Sequence, residues 1–194
     1  MAAPAMATTL RVPVTGLTAD NADKVKSALT SATNTIYVCS HCKKADAEAG
    51  QCCGKDRESQ TGTAFADVNV DAKTSMVSFS VPAGRAVRLS DIDKALKAQN
   101  VSVAADKFQI GSDATVIVTG VADAAGGDAV KKALTEAKLA ETADVVTGAN
   151  KEAKLTIRKS GMTAATAARL KEAVMKANSA YAVSDIVWNA PPKT

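Results

Sequence analysis

All four cysteines of this 194-residue chain lie in one short segment, together with its single histidine. The five residues are Cys39, His41, Cys42, Cys52 and Cys53. Two residues separate Cys39 from Cys42, so one tight turn can direct both sulfurs to a common point, as four-coordinate zinc requires. The second pair is adjacent and precedes Gly54, so it needs a local turn to reach the same ion. The segment therefore predicts a site for one metal ion.

The ion predicted for this segment is a soft one. Thiolates favour Zn(II), Cu(I) and heavy metals such as Hg(II) or Cd(II) over Mg or Ca, and we expect one ion, Zn or Cu(I). His41 can replace one sulfur or serve a second ion. The alternative is a pair of disulfides that join the first cysteine pair to the second, since an even cysteine count is typical of exported proteins. Because the segment has almost no apolar residues, it needs a cross-link, either a metal ion or disulfides, to be ordered.

The cysteine segment interrupts one copy of an internal repeat. The sequence VTGL at 14–17 returns as VTGV at 118–121, and DKVKSALTSA at 23–32 returns as DAVKKALTEA at 128–137. Two matches in the same order indicate a duplication. Only the first copy carries the long polar insertion, and an insertion that concentrates rare residues is more often functional than incidental.

Each copy has the residue pattern of four strands and two helices. Alternating or β-branched residues predict strands, and apolar residues at helical spacing predict helices. The predicted strands are 9–15, 64–70, 75–81 and 101–104 in the first copy, and 114–119, 143–146, 154–158 and 182–187 in the second. Each first strand precedes a helix, and second helices are predicted to begin near Ser90, as an N-cap, and near Thr163.

This β-α-β-β-α-β order predicts an α+β fold of two tandem ferredoxin-like domains, each with four antiparallel strands under two helices. The first domain is predicted at 9–110, with the Cys-rich insertion at about 33–63, and the second at 113–190. The residues between them, around 108–113, are the predicted junction.

The two copies resemble the heavy-metal-associated domain family, which includes copper chaperones and the amino-terminal domains of metal-transporting ATPases. The resemblance rests on residues 14–19, on Lys24–Val25 with Ala28–Leu29, and on the hairpin at 68–79. It implies a ferredoxin-like fold. That family binds Cu(I) or another soft ion through a Cys-x-x-Cys in the loop after the first strand. The corresponding loops of this chain, 17–21 and 121–125, contain no cysteine, so that site is not carried over.

The insertion resembles a short heavy-metal-binding segment of some metal-efflux proteins. That segment starts with Tyr-x-Cys and closes with Gly-x-Cys-Pro-x-Cys-Gly. Tyr37-Val38-Cys39 and the sequence GQCCG at 50–54 match its two ends, with the residues between the closing cysteines missing. The resemblance implies that the ligand set lies on an inserted ribbon.

The composition excludes several other classes of protein. The net charge is only +4 and aromatic residues make up 3%, so we expect no nucleic-acid partner. No apolar stretch approaches the roughly 20 residues that span a bilayer, and no nucleotide-binding or nucleophile motif supports an enzyme. The alanine-rich start at 1–8 is similar to the remainder of a cleaved signal, which predicts a periplasmic or secreted protein, with a cytoplasmic one as the alternative.

We therefore expect a soft metal-ion binding protein that acts as a carrier, sensor or sequestering protein. A protein that exchanges the metal with it is a further expected partner. The alternative is an interaction scaffold whose inserted ribbon is stapled by structural zinc or by disulfides. Whether a bound metal is structural or cargo stays open at this point.

Overall fold

The computed structural model describes residues 8–111, 114–148, 151–160 and 165–190. Outside the described residues lie positions 1–7 of the alanine-rich start, residues 112–113 of the predicted junction, residues 149–150 and the predicted helix start at Thr163. The described part is a mixed α/β structure with several sheets and four helices. The chain divides into two compact units, Met1–Ala104 with Trp188–Thr194, and Ala105–Val187.

The described part of the chain contains four helices and fourteen strands. The helices are α1 (Ala19–Ser31), α2 (Leu89–Lys97), α3 (Ala124–Glu136) and α4 (Ala167–Ala177). The strands before α2 are β1 (Thr9–Thr15), β2 (Thr33–Val38), β3 (Ala45–Asp46), β4 (Gln51–Cys52), β5 (Lys55–Asp56), β6 (Glu58–Thr63), β7 (Ala66–Asp71), β8 (Met76–Ser80) and β9 (Ala86–Arg88). The later strands are β10 (Ser102–Val103), β11 (Ala114–Thr119), β12 (Ala140–Gly148), β13 (Glu152–Ser160) and β14 (Ala182–Asn189).

The first unit is built on a four-stranded antiparallel sheet in the order β10-β1-β8-β7. The pairing of β1 with β8 sets Leu10 opposite Phe79 and Val12 opposite Val77. These four side chains share one face of the sheet, because every second residue of a strand points the same way, and all four are buried. Helix α1 contacts both β7 and α2. The core of this unit therefore lies between one face of the sheet and its helices.

Five short strands, β2 to β6, are inserted between α1 and β7 of the first unit. The insertion leaves and rejoins the unit at one place, because the Ala64 amide donates a hydrogen bond of 3.0 Å to the Ala32 carbonyl. In the second unit, α3 leads through Ala137–Leu139 directly to β12. The inserted strands can therefore form their own structure without separating α1 from the sheet it covers.

The prediction that Ser90 caps α2 is wrong. The helix begins at Leu89, with Arg88 in the N-cap position. The Arg88 amide donates to the Asp91 carboxylate at 3.2 Å. The carboxylate of the third helical residue thus accepts a hydrogen bond from the N-cap amide, as in one half of a capping box. Ser90 lies within the first turn of the helix.

The sheet of the second unit has the order β12-β13-β11-β14. Strand β11 sets Val116 opposite Leu155 of β13, and Val118 opposite Ala153, and these side chains are buried. Helix α3 contacts both β12 and α4. None of the helices in the described ranges combines the length and the apolar character needed to cross a membrane.

The repeated Val-Thr-Gly motif places a glycine with left-handed backbone after the first strand of each unit. The φ angle is +80° at Gly16 and +88° at Gly120. A side chain on Gly16 would lie 2.6 Å from the Asn100 carbonyl oxygen, and one on Gly120 would overlap the Ala180 carbonyl oxygen. In each unit the glycine therefore lets this turn approach the backbone that precedes the last strand.

We expect Gly16→Ala to lower the free energy of unfolding by about 2 kcal/mol or more, because left-handed backbone alone costs an L residue about 1–2 kcal/mol and the Asn100 carbonyl must also move. Denaturant unfolding followed by circular dichroism measures this. Gly111→Ala is the matched control, since nothing lies within 4 Å of a Cβ at that position, and we expect a change below about 0.5 kcal/mol there. Equal losses in the two variants would contradict this role for Gly16.

Candidate metal centre

The inserted strands form a ribbon, residues 33–63, that carries all the cysteines. Strands β2 and β6 pair antiparallel over their full length, from Thr33 opposite Thr63 to Val38 opposite Glu58. Strand β3 pairs with the other edge of β2, at its far end. The ribbon has few apolar residues, as its sequence indicates, but Ile36, Val38 and Ala47 are buried. These few buried side chains thus hold the end of β2 in position.

The first two cysteines lie on a tight turn between β2 and β3. The Lys43 amide donates to the Cys39 carbonyl, and the Cys39 amide donates to the Lys44 carbonyl, both at 3.0 Å. Lys43 closes the turn with a φ of +58°. The Cys42 amide points at the Cys39 Sγ from 3.5 Å. The two-residue gap between these cysteines therefore makes the predicted turn, with both sulfurs on its inner side.

The second two cysteines lie on the hairpin of β4 and β5. Cys52 is paired opposite Lys55, which leaves Cys53 and Gly54 as the two turn residues. Their φ angles are +55° and +74°, and positive φ at both central residues is the requirement of a type I′ turn. This turn is how adjacent cysteines direct their sulfurs to one place, at an Sγ–Sγ distance of 3.8 Å. The adjacent pair is predicted to need a local turn, and the structure places that turn at Cys53–Gly54.

The four sulfurs form one compact group. All of them lie within 4.8 Å of one another, with 3.5 Å between the sulfurs of Cys42 and Cys52. Sulfurs placed about 2.3 Å from a zinc ion at the corners of a tetrahedron are about 3.8 Å apart, so the spacing and the donor set both fit a four-coordinate soft ion. All four side chains are free thiols in this structure.

The four cysteines differ in their exposure to solvent. Cys39 is buried, Cys42 and Cys52 are half-buried, and Cys53 is exposed. His41, the predicted reserve ligand, is exposed and is not part of the group that the four cysteines form. The structure therefore brings together four of the five predicted site residues and leaves the histidine outside.

Hydrogen bonds distribute charge and protons unevenly over the sulfurs. The Cys42 amide and, after it, the His41 amide stabilise the Cys39 thiolate against the effect of burial, and the pKa of Cys39 falls to about 6. The pKa of Cys52 is raised to about 12. The largest cause is the side-chain hydrogen bond with Cys42, followed by the one with Cys39, and burial adds to them. The contact with Cys52 lowers the pKa of Cys53, but Cys42, burial and Cys39 outweigh it, so that pKa is raised.

Two arginines beside α2 fasten the ribbon to the rest of the first unit. The Arg85 guanidinium donates to the Asn34 carbonyl at 2.8 Å and to the Gly62 carbonyl at 3.0 Å, where these two residues face each other at the base of the ribbon. The Arg88 guanidinium donates to the Ala47 carbonyl, between the two cysteine pairs. Sequence reasoning did not identify either arginine, because single charged residues in a polar stretch carry no pattern.

Known proteins resemble this chain only distantly. No protein family and no curated protein matches the sequence. One similar solved structure is the water soluble region of P-type ATPase CopA from Bacillus subtilis, at 15% identity over 93% of each chain, with a TM-score of 0.33. Another is that of the N-terminal soluble domains of Bacillus subtilis CopA, at 16% identity over 92% of each chain, with a TM-score of 0.29. Both TM-scores are too low to assign a fold or a function to this chain from these structures.

We expect the metal-free, reduced protein to gain one thiolate near pH 6, well below the range of an ordinary cysteine. The reason is the pKa of about 6 at Cys39, which leaves this sulfur protonated below pH 6 and ionised above it. Thiolate absorbance in the ultraviolet, followed from pH 4 to pH 8, measures this step. Cys39→Ser should remove it and Cys53→Ser should retain it. A flat titration up to pH 8 would contradict the assignment.

Proposed function

We propose that this protein binds one soft metal ion through Cys39, Cys42, Cys52 and Cys53. The observation that carries the proposal is the convergence of four sulfurs from a turn and a hairpin to within 4.8 Å of one another. Clusters of free thiols at this spacing are what a thiolate-bound ion requires. We propose no catalytic role for the chain.

We propose Zn(II) as the first choice of ion. Four sulfurs at nearly tetrahedral separations suit an ion that takes four ligands, and zinc does so in Cys₄ sites. Cu(I) is the second choice, since it shares the preference for thiolates but is satisfied by fewer of them. Cd(II) belongs to the same four-coordinate class as zinc.

We propose that the chain consists of two ferredoxin-like domains, and that the ribbon of the first domain holds the ion. The sheet of each unit supports this, because both have the fourth strand beside the first, then the third, then the second. The repeated motif and the equivalent glycines, Gly16 and Gly120, support a common origin of the two units.

We propose that the ion is cargo, so that the protein is a carrier or a sequestering protein. The exposed Cys53 supports this role, because one ligand is accessible to a competing molecule. A structural zinc in an interaction scaffold is the second candidate. The two arginines that fasten the ribbon favour it, since an anchored ribbon is suited to presenting a fixed surface.

Metal analysis of the purified, reduced protein tests the proposal. We expect one Zn(II) per chain, and a loss of affinity of at least about 100-fold for each single Cys→Ser variant, since outer contacts alone are often worth 10–100-fold. His41→Ala is the control, with affinity expected within about threefold of the parent protein because the ring lies outside the group. A metal-free protein with oxidised cysteines, or an unchanged stoichiometry in the Cys52→Ser/Cys53→Ser double variant, would refute it.

We expect zinc affinity to fall steeply as the pH is lowered. The pKa values of Cys52 and Cys53 are both raised, so both thiols hold protons at pH 7 and must release them when a metal binds. Release of at least two protons implies a loss of about 100-fold in affinity per pH unit around neutrality. Competition with a chromophoric chelator at several pH values measures the slope. A slope near zero would mean that the thiols do not ligate the ion.

Exchange kinetics separate the two candidate roles. Cargo at an accessible site should pass to an excess of chelator within minutes, with the unfolding transitions of both units unchanged. Zinc that resists the chelator, and whose forced removal makes the ribbon sensitive to trypsin at Lys43, Lys44 or Lys55, would favour the structural role instead.

A further inference from the structure

The two cysteine pairs stand on separate sheets of the ribbon. Cys39 and Cys42 flank the turn between β2 and β3, in the three-stranded sheet β3-β2-β6, whereas Cys52 and Cys53 belong to the two-stranded sheet of β4 and β5. A four-sulfur site needs the two sheets to keep a fixed spacing. The ion pair of Asp46 with Arg57 meets this requirement, with 3.2 Å between the carboxylate Oδ2 and the guanidinium Nη1.

Each partner of this ion pair is fixed to one cysteine pair by the backbone. Asp46 lies on β3 opposite Tyr37, two residues before Cys39. Arg57 lies between β5 and β6, and its amide donates to the Gly50 carbonyl at 2.9 Å, which prolongs the β4–β5 ladder. The ion pair therefore joins the strand beside the first cysteine pair to the hairpin that carries the second.

The ion pair is partly shielded from water. The Asp46 side chain is 27% exposed and the Arg57 side chain 18%, and Asp46 Oδ1 also accepts the Glu48 amide at 3.3 Å. Exposed ion pairs contribute little to stability, whereas partly buried ones that are also hydrogen-bonded fix a geometry more firmly. The distance between the two sheets is thus set by a contact with little freedom.

We propose that the Asp46–Arg57 ion pair determines metal specificity by holding the two cysteine pairs at the spacing of a four-coordinate ion. This inference rests on the proposed function. Zn(II) and Co(II) need sulfurs from both sheets at once, so they depend on the spacing between the sheets. An ion that is satisfied by two sulfurs, such as Ag(I), can bind one cysteine pair and does not depend on it. Asp46 and Arg57 act through the cysteines and are positioning residues.

The test compares four-coordinate and two-coordinate ions on the same variants. Asp46→Asn, which is isosteric, and Arg57→Gln, which has a shorter side chain, each remove the ion pair, and we expect both to bind Zn(II) about 10-fold or more weakly. Ag(I) affinity should stay within about threefold of the parent protein, and Arg57→Lys, which keeps the charge, should retain most of the Zn(II) affinity. The double variant should be no weaker than either single variant, because the two side chains act as one contact.

Asp93→Asn is the matched control, since it breaks a 2.7 Å ion pair with Lys97 on α2, away from the ribbon. It should leave both affinities unchanged. The visible spectrum of bound Co(II) gives a second readout, and in Asp46→Asn it should lose the intensity of a four-thiolate tetrahedral site. Thermal unfolding of the metal-free variants shows that they are folded.

Two outcomes would overturn the inference while the proposed function stands. One is Zn(II) affinity unchanged in Asp46→Asn and Arg57→Gln, and the other is an equal loss for Zn(II) and Ag(I), which would indicate a general weakening of the ribbon. A parent protein that binds neither Zn(II) nor Co(II) would overturn the proposed function, and this inference with it.

Discussion

Repulsion between neighbouring thiolates is the constraint on which the cysteine cluster and its surroundings depend. Four sulfurs within 4.8 Å of one another cannot all be ionised unless a cation lies among them. Without one, the cluster keeps its negative charge at Cys39, whose pKa falls to about 6, and holds protons at Cys52, whose pKa rises to about 12. The turn and the hairpin thus bring together groups that repel once they ionise. The backbone and side-chain contacts around them must supply the energy for that approach.

Those contacts are mainly polar, and this distinguishes the ribbon from the two units. The sheets of both units are covered by Val, Leu and Phe side chains that are fully or nearly fully buried. The ribbon buries few apolar residues and relies instead on three arginines. Arg57 joins its two sheets, Arg85 crosses its base, and Arg88 holds the segment between the cysteine pairs. Since the Ala64–Ala32 hydrogen bond closes the base, these contacts can orient the ribbon without any change in the core of the first unit.

Much of this arrangement could be predicted from the sequence, and the remainder depends on contacts between distant residues. The repeat and the hydrophobic spacing predict β1, α1, the β7–β8 hairpin and their counterparts, because buried alternation is a local signal. The strands of the ribbon are not predicted, since β6 has the polar sequence ESQTGT and is a strand only through its pairing with β2. The clustering of the cysteines follows from their isolation in one insertion. The roles of Asp46 and Arg57 do not, because no spacing rule relates two charged residues in a polar stretch.

The loops in which the resembling family places its metal ligands have another use in this chain. After β1, the Thr18 amide donates to the Asn21 side chain at 2.8 Å, and the Asn21 amide group donates to the Gly16 carbonyl at 2.9 Å. After β11, the Asp123 carboxylate accepts the Gly126 amide at 2.8 Å. Both loops therefore direct their polar side chains to the ends of α1 and α3, where they cap backbone groups that the helix cannot satisfy itself. Soft donors are concentrated on the ribbon, so under the proposed function its polar contacts, rather than the conformation of these loops, would govern the choice of ion.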